Sequence, residues 1–174
     1  MGLDISIIYS IKTWRMDLLT KIGYLGEVSL FEGLPQENLK EIAELSSVKK
    51  YNKHQIIYRV DDVCDEVYIL LNGIIKIISK SGEGREVIKT IIHPKSLFGI
   101  EYLSSSETRM NTAKSIDKDV LCLVINAEEF KSYMKKNWEL TERFVQMLGT
   151  RLRYVEERFE SLVFKDARER IIDF

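Results

Sequence analysis

The spacing of apolar residues changes period twice along the chain. From about Ser10 to Ile42, in TWRMDLLTKIGYL and then LPQENLKEIAEL, apolar residues recur every three or four positions, which predicts helices. Pro35 opens the second of them, where a first helical turn tolerates a residue without an N–H. From Ser47 to Ile125 the pattern shortens into runs rich in Ile, Val and Tyr: HQIIYRV, EVYILLNGIIKIIS, REVIKTIIH, NTAKSI and DVLCLVI. Turn residues separate these runs, which predicts antiparallel strands of a sandwich or roll. Asn72-Gly73 carries the signal of a two-residue hairpin, and SKSGEGRE reads as an exposed hairpin tip. After Val124 the helical period returns, with Asn126 as an N-cap and Glu129 three residues on in a capping-box-like pattern.

The longest helical signal runs from Trp138 to Phe164. At 1.5 Å per residue it would extend about 40 Å, more than the edge of a small β domain can cover. Phe144, Leu148, Leu152, Val155, Phe159 and Leu162 follow one another at spacings of 4, 4, 3, 4 and 3, a heptad-like seam. Charged residues of both signs occupy the other faces. This predicts a two-stranded coiled coil between two copies of the chain, with those six residues as the dimer interface. Gly149 interrupts the helix at a cost of up to about 1 kcal/mol. Near the end, FKDARERIIDF offers Asp166 as a fresh N-cap, which predicts a hinge near Val163 to Asp166 and a new helix. Ile171, Ile172 and Phe174 would give that helix an apolar face with nothing to cover it, so a further module is expected beyond it.

The expected fold is therefore α+β. An antiparallel, jelly-roll-like β-roll (a double-stranded β-helix) is flanked by N-terminal helices and a long C-terminal dimerisation helix. The parts are expected at residues 1–45 (N-terminal helical segment), 46–126 (roll), 127–164 (helices) and 165–174 (hinge and start of the next module).

Composition narrows the function. The chain has 174 residues, 45% hydrophobic and 30% charged, enough for one core with an appended element. A net charge of -1 lacks the basic footprint of a chain that itself grips DNA. Cys64 and Cys122 form no C-x-x-C pair, which argues against a zinc site or a disulfide framework and for a reducing cytoplasm. The N-terminus is broken by Asp4, Lys12, Arg15 and Asp17, and no run reaches the ~18 apolar residues of a membrane span, so no membrane partner is expected. Met1-Gly2 with Ser6 matches the myristoylation pattern only loosely. No nucleophile-elbow or P-loop string occurs, and two histidines are too few for a cupin-type metal centre. The chain is expected not to be an enzyme.

One stretch holds the candidate chemistry. SLFGIEYLSSSETRMNTAKSID joins a Phe-Gly turn, an acidic residue, a serine-rich run and a lone arginine, parts suited to cradling an anion. By position alone, Arg109 at a loop end reads as a solvated surface charge, and Met110 as a core filler. Taken with VYILLNGIIKIISKSGEGREVI before it and RLRYVEERFESLVFKDARERIIDF after it, this stretch resembles the Crp/Fnr superfamily of bacterial transcription regulators from about Leu30 onward. The resemblance implies a β-roll enclosing an effector pocket, a long dimer helix, and a winged helix-turn-helix that reads DNA, here beyond the chain. The function so implied is effector-dependent transcription control, in which ligand binding shifts the dimer helix and hinge. The rival is a stand-alone cyclic-nucleotide-like ligand-binding or interaction module that never touches DNA.

The resemblance also places the effector cassette on Phe98, Gly99, Ile100, Glu101, Tyr102, Leu103, Arg109, Met110 and Asn111, with Val155 from the dimer helix. Relatives that bind cyclic nucleotides carry Phe-Gly-Glu-Leu, whose glutamate takes the ribose, and later Arg-Ser or Arg-Thr, whose arginine takes the phosphate. Here Ile100 stands where the glutamate belongs, Glu101 is displaced by one, and Met110 follows the arginine. In the cyclic-AMP receptor a Thr-Ser pair on the dimer helix reaches the adenine; Val155 and Glu156 stand there instead. These departures argue against cyclic AMP and leave the effector unknown. Iron–sulfur sensing needs about four thiolates. Haem stays a minor alternative by ligand type alone, through His54, His93, Met110, Cys64 or Cys122. Cys122, between Leu121 and Leu123, reads as an inert buried thiol.

Overall fold

The computed structural model describes residues 16–80, 85–104 and 106–172, with side chains described as far as Ser161. Met1-Gly2, the start of the first expected helix, the tip Ser81–Gly84, the side chain of Leu162 and those of Ile171, Ile172 and Phe174 lie outside the described residues. Helix α1 (Leu18–Gly26) starts where the Asp17 carboxylate accepts from the backbone N–H of Thr20 at 2.9 Å and from its hydroxyl at 2.6 Å. Those bonds satisfy one of the donors that every helix start leaves free. Helix α2 (Gln36–Leu45) follows Pro35, which stands one place before the first turn and whose carbonyl accepts from Leu39 N–H.

Eight strands follow: β1 (Ser46–Tyr51), β2 (Ile56–Tyr58), β3 (Glu66–Asn72), β4 (Ile75–Lys80), β5 (Glu86–Ile92), β6 (Ser96–Phe98), β7 (Thr112–Ser115) and β8 (Val120–Asn126). They form two four-stranded sheets in the orders β1-β8-β3-β6 and β2-β7-β4-β5, antiparallel throughout. The fold is α+β with a jelly-roll-like antiparallel roll. Tyr51, Tyr68, Leu70, Phe98, Val120, Cys122 and Val124 from one sheet meet Tyr58, Ile75, Ile77 and Ala113 from the other in a common core. Alternation along β3 and β8 sends Val67, Ile69, Leu123 and Ile125 to the opposite face, also buried. Helix α3 (Ala127–Lys136) packs on β3 and β8 and carries the fully buried Phe130. Its cap is the expected one: Asn126 Oδ1 accepts from Glu128 N–H at 3.0 Å and Glu129 N–H at 3.1 Å.

Asn72-Gly73 does not close a hairpin. β3 and β4 belong to different sheets, so the chain turns a corner there. Gly73 has φ +86, and a Cβ on it would lie 2.7 Å from Val120 Cγ2, so only glycine permits the corner. The sequence signal reported the left-handed residue correctly and its purpose incorrectly.

Residues 1–136 and 137–174 form two units, and α3 belongs to the first rather than with the long helix as expected. The second is helix α4 (Trp138–Ile172), 35 residues long, whose start is capped by Asn137 Oδ1 accepting from Leu140 N–H. It passes through Gly149 and through the expected hinge at Val163 to Asp166 without a break, and no separate helix starts at Asp166. LVFKDARER holds neither Gly nor Pro, and an aspartate inside a helix costs well under 1 kcal/mol, too little to end it.

Candidate functional site

The site begins where β6 ends. Phe98 is buried and stacks on Tyr68 with ring centroids 5.0 Å apart, and Gly99 then turns the chain at φ +68. A Cβ at Gly99 would stand 2.8 Å from the Tyr68 ring and 3.0 Å from Arg109 Nη1, so glycine is required by close approach as well as by φ. A 3-10 turn, Glu101–Ser104, follows. It is fixed through one carbonyl: Glu101 O accepts from the Ser104 hydroxyl at 2.7 Å and from Ser106 N–H at 3.3 Å.

The strand-like return through 107–109 is anchored on the loop before β3. Cys64 N–H donates to Glu107 O, Arg109 N–H to Asp62 O and Asp61 N–H to Arg109 O, each at 2.9 Å. This backbone grip aims the Arg109 side chain inward. Arg109 is only 1% exposed, which corrects its reading as a solvated loop charge. Nη1 donates to Gly99 O at 2.8 Å and to the Glu101 carboxylate at 3.0 Å, and Nη2 donates to Glu66 O. Its Cζ lies 4.3 Å from the Tyr58 ring centroid and 5.5 Å from that of Tyr68, a cation–π arrangement. Nε has no partner among the described residues. The Glu66 side chain is engaged elsewhere, accepting from the Tyr68 hydroxyl at 2.7 Å and pairing with Lys49. Burial pushes the phenols of Tyr58 and Tyr68 well up. The nearby Glu101 charge adds to the first, and donation to Glu66 adds to the second.

The remaining sequence candidates separate. Ile100, Tyr102 and Leu103 are half-buried beside the turn. Met110 is 67% exposed rather than a core filler, because it falls on the outward side of the position after Arg109. With Asn111, Thr112, Val60, Ile78, Ser79 and Glu86 it lines a cavity of about 180 Å³, where Asn111 Oδ1 is buried without a partner among the described residues. Tyr102 instead lines a cavity of about 440 Å³ at the start of α3, with Cys64, Asp65, Glu107 and Glu128. Val155 lies on α4 and is exposed. Of the dimer candidates, Phe144 is already buried in the single chain, while Leu148, Leu152, Val155 and Phe159 are 40–67% exposed. His54 and His93 are exposed on separate turns, and Cys64 and Cys122 are buried in different places. No group of three or more metal-ligating side chains occurs among the described residues. The parts that sequence reasoning missed are Tyr58, Tyr68 and the Glu66 carbonyl, which read only as strand residues.

A cyclic nucleotide fits this cassette poorly. The arginine that would meet a phosphate is already paired with Glu101, Ile100 offers a ribose no acceptor, and Met110 offers no hydroxyl.

Among the described residues no helix is long and apolar enough to cross a membrane. The chain is 22% identical over 147 residues to the CRP-like cAMP-activated global transcriptional regulator of Mycobacterium tuberculosis, covering 84% of this chain and 65% of that protein. It therefore spans just under two thirds of that relative. Its fold matches the sensor domain of the transcriptional regulator DNR from Pseudomonas aeruginosa, with TM-score 0.70 at 20% identity over 80% of this chain and 93% of that one. It also matches the catabolite activator protein of Thermus thermophilus, with TM-score 0.69 at 21% identity over 80% of this chain and 65% of that one. The cyclic nucleotide-binding domain family matches residues 48–137, from the first strand through α3. The chain belongs to that family, and its likeness in sequence and fold is to the sensor portion of Crp/Fnr-type regulators.

Proposed function

We propose that this chain is the effector-sensing and dimerisation portion of a Crp/Fnr-type transcription regulator acting in the cytoplasm. The observation that carries the reading is the row Leu148, Leu152, Val155 and Phe159 along α4, exposed over 40–67% of their surfaces at spacings of 4, 3 and 4. Exposed apolar side chains arranged in a row along a helix mark a surface for a partner. A heptad-like row is self-complementary, so a second copy of the same helix covers it by two-fold symmetry. The roll then supplies the cassette at residues 98–111. An effector that favours one pairing of the two helices over another shifts their populations, and α4 hands that shift to a DNA-reading module outside these residues.

Sedimentation velocity on the chain at tens of micromolar tests the first step. A dimer is expected, and Leu152→Asp is expected to give a folded monomer, since each copy would bring a carboxylate into an apolar seam. A wild-type monomer at that concentration, or a Leu152→Asp dimer as tight as wild type, would remove the support for dimerisation.

A further inference from the structure

The charge state of the cassette carries an inference of its own. A guanidinium has five N–H donors in a fixed fork, and here the fork is already aimed at acceptors of the protein. Two of these, Gly99 O and Glu66 O, are neutral carbonyls on rigid backbone; the third, at 3.0 Å, is the Glu101 carboxylate, the one anion on Arg109 among the described ion pairs. The two partners differ in freedom. Arg109 is 1% exposed and packed against the Tyr58 and Tyr68 rings, whereas the Glu101 side chain is 18% exposed. The Glu101 main chain is pinned by the bonds to its carbonyl, so its side chain can swing toward solvent without unfolding the turn.

We propose that Glu101 is a resident anion of the cassette, a tethered competitor that any phosphate-bearing effector must displace from Arg109. This rests on the reading of residues 98–111 as an effector cassette. One residue earlier, at Ile100, the side chain is half-buried and apolar; the displacement by one is what directs the carboxylate onto Arg109. A tethered group competes at an effective concentration of order millimolar. An external anion then binds with its intrinsic affinity multiplied by the fraction of molecules whose carboxylate has swung away. Glu101 therefore sets the threshold for the effector, and its charge, rather than its bulk, does so.

The test is calorimetric titration of the 174-residue chain, as wild type, Glu101→Gln and Glu101→Ala, with cyclic AMP and separately with inorganic phosphate. Wild type is expected to bind both only at millimolar levels. Glu101→Gln keeps the volume and an acceptor but removes the charge, and is expected to bind at least one probe about tenfold or more tighter. Adding Arg109→Gln should abolish the gain. Gain for cyclic AMP alone identifies a nucleotide site, and equal gain for phosphate identifies a simple anion site. Either result supports the competitor. Affinity unchanged for both probes in a folded variant overturns it, as does wild-type binding of cyclic AMP that Glu101→Gln weakens. If both Glu101 variants fail to fold, NMR of wild type decides. The Arg109 guanidinium signals should stay fixed until millimolar phosphate or cyclic AMP is reached, and movement at micromolar levels overturns the proposal. None of these outcomes depends on sedimentation, so failure here leaves the dimer reading standing, and a monomer there leaves this pair untouched.

Discussion

Replacing Arg109 by alanine is expected to destabilise the roll strongly, and the size of the effect follows from what surrounds it. The substitution removes donation to Gly99 O, Glu66 O and the Glu101 carboxylate, and removes the cation resting on the Tyr58 ring. A hydrogen bond to a charged group is worth about 1.5–3 kcal/mol, and stranding one member of a buried pair costs about 3–5 kcal/mol. These figures overlap, because the second already contains the loss of the first. Glu101 retains some access to water at 18% exposure, which lowers its share. The expected loss is therefore about 3–5 kcal/mol, roughly a fifth or more of the stability of an ordinary domain. Arg109→Lys keeps the charge but not the fork, and should lose about 2 kcal/mol. Urea unfolding followed by tyrosine fluorescence measures both, provided the denaturant slope is unchanged. A loss below about 1 kcal/mol for Arg109→Ala, the range of a surface substitution, would refute the burial of this side chain and every inference drawn from it.

Gly99→Ala should cost about 2–4 kcal/mol by the same assay, since a Cβ meets both Tyr68 and Arg109 at a positive φ, whereas Gly149→Ala should gain up to about 1 kcal/mol because nothing lies within 4 Å of it on α4. Cys64 and Cys122 are buried with their thiols held protonated by that burial, so iodoacetamide at neutral pH should label neither in the native protein and both in urea. Burial also raises the phenols of Tyr51, Tyr58 and Tyr68, so these groups ionise more readily in the unfolded chain. The folded state then holds more protons at high pH. Stability from the two buried thiols and these phenols is fully present at neutral pH and should fall above about pH 8.5, where free thiols ionise, and more steeply above about pH 10, where free phenols do. Tyrosinate absorbance should therefore appear together with unfolding rather than before it.

Where one local signal and one tertiary demand coincided, the sequence was read correctly. Asn126 with Glu129 placed the start of α3, and the unbroken apolar runs in EVYILLN and DVLCLVI placed the two central strands, because each face of those strands is buried. β1 escaped notice because SSVKKY buries chiefly Val48 and Tyr51 and leaves lysines at the sheet edge, so its pattern is faint. The Asn72-Gly73 corner was misassigned because a left-handed glycine is demanded equally by a hairpin and by a crossing between sheets, and only the pairing partners of β4, which are β5 and β7 rather than β3, tell them apart. At Asp166 the helix runs on, because a capping residue ends a helix only where the neighbours also disfavour it.

The cassette shows how far a motif can be read without its surroundings. Position and glycine were legible, because a turn between strands that cannot tolerate a Cβ leaves a mark in the sequence. The partner of Arg109 was not. A shift of one residue turns a side chain by about 100° in a helical start, enough to rule Glu101 out as a ribose ligand, but sequence spacing does not say toward what it turns. The structure gives the missing term: Arg109 lies eight residues further on in a loop and reaches back under Gly99 to the same carboxylate. A departure from a motif was read as the loss of one contact, when it also created another. If the competitor proposal holds, the same shift that removed a ribose ligand installed a regulator of the site, and chains with a glutamate one place after the usual position should share weak anion binding whenever an arginine returns to the glycine.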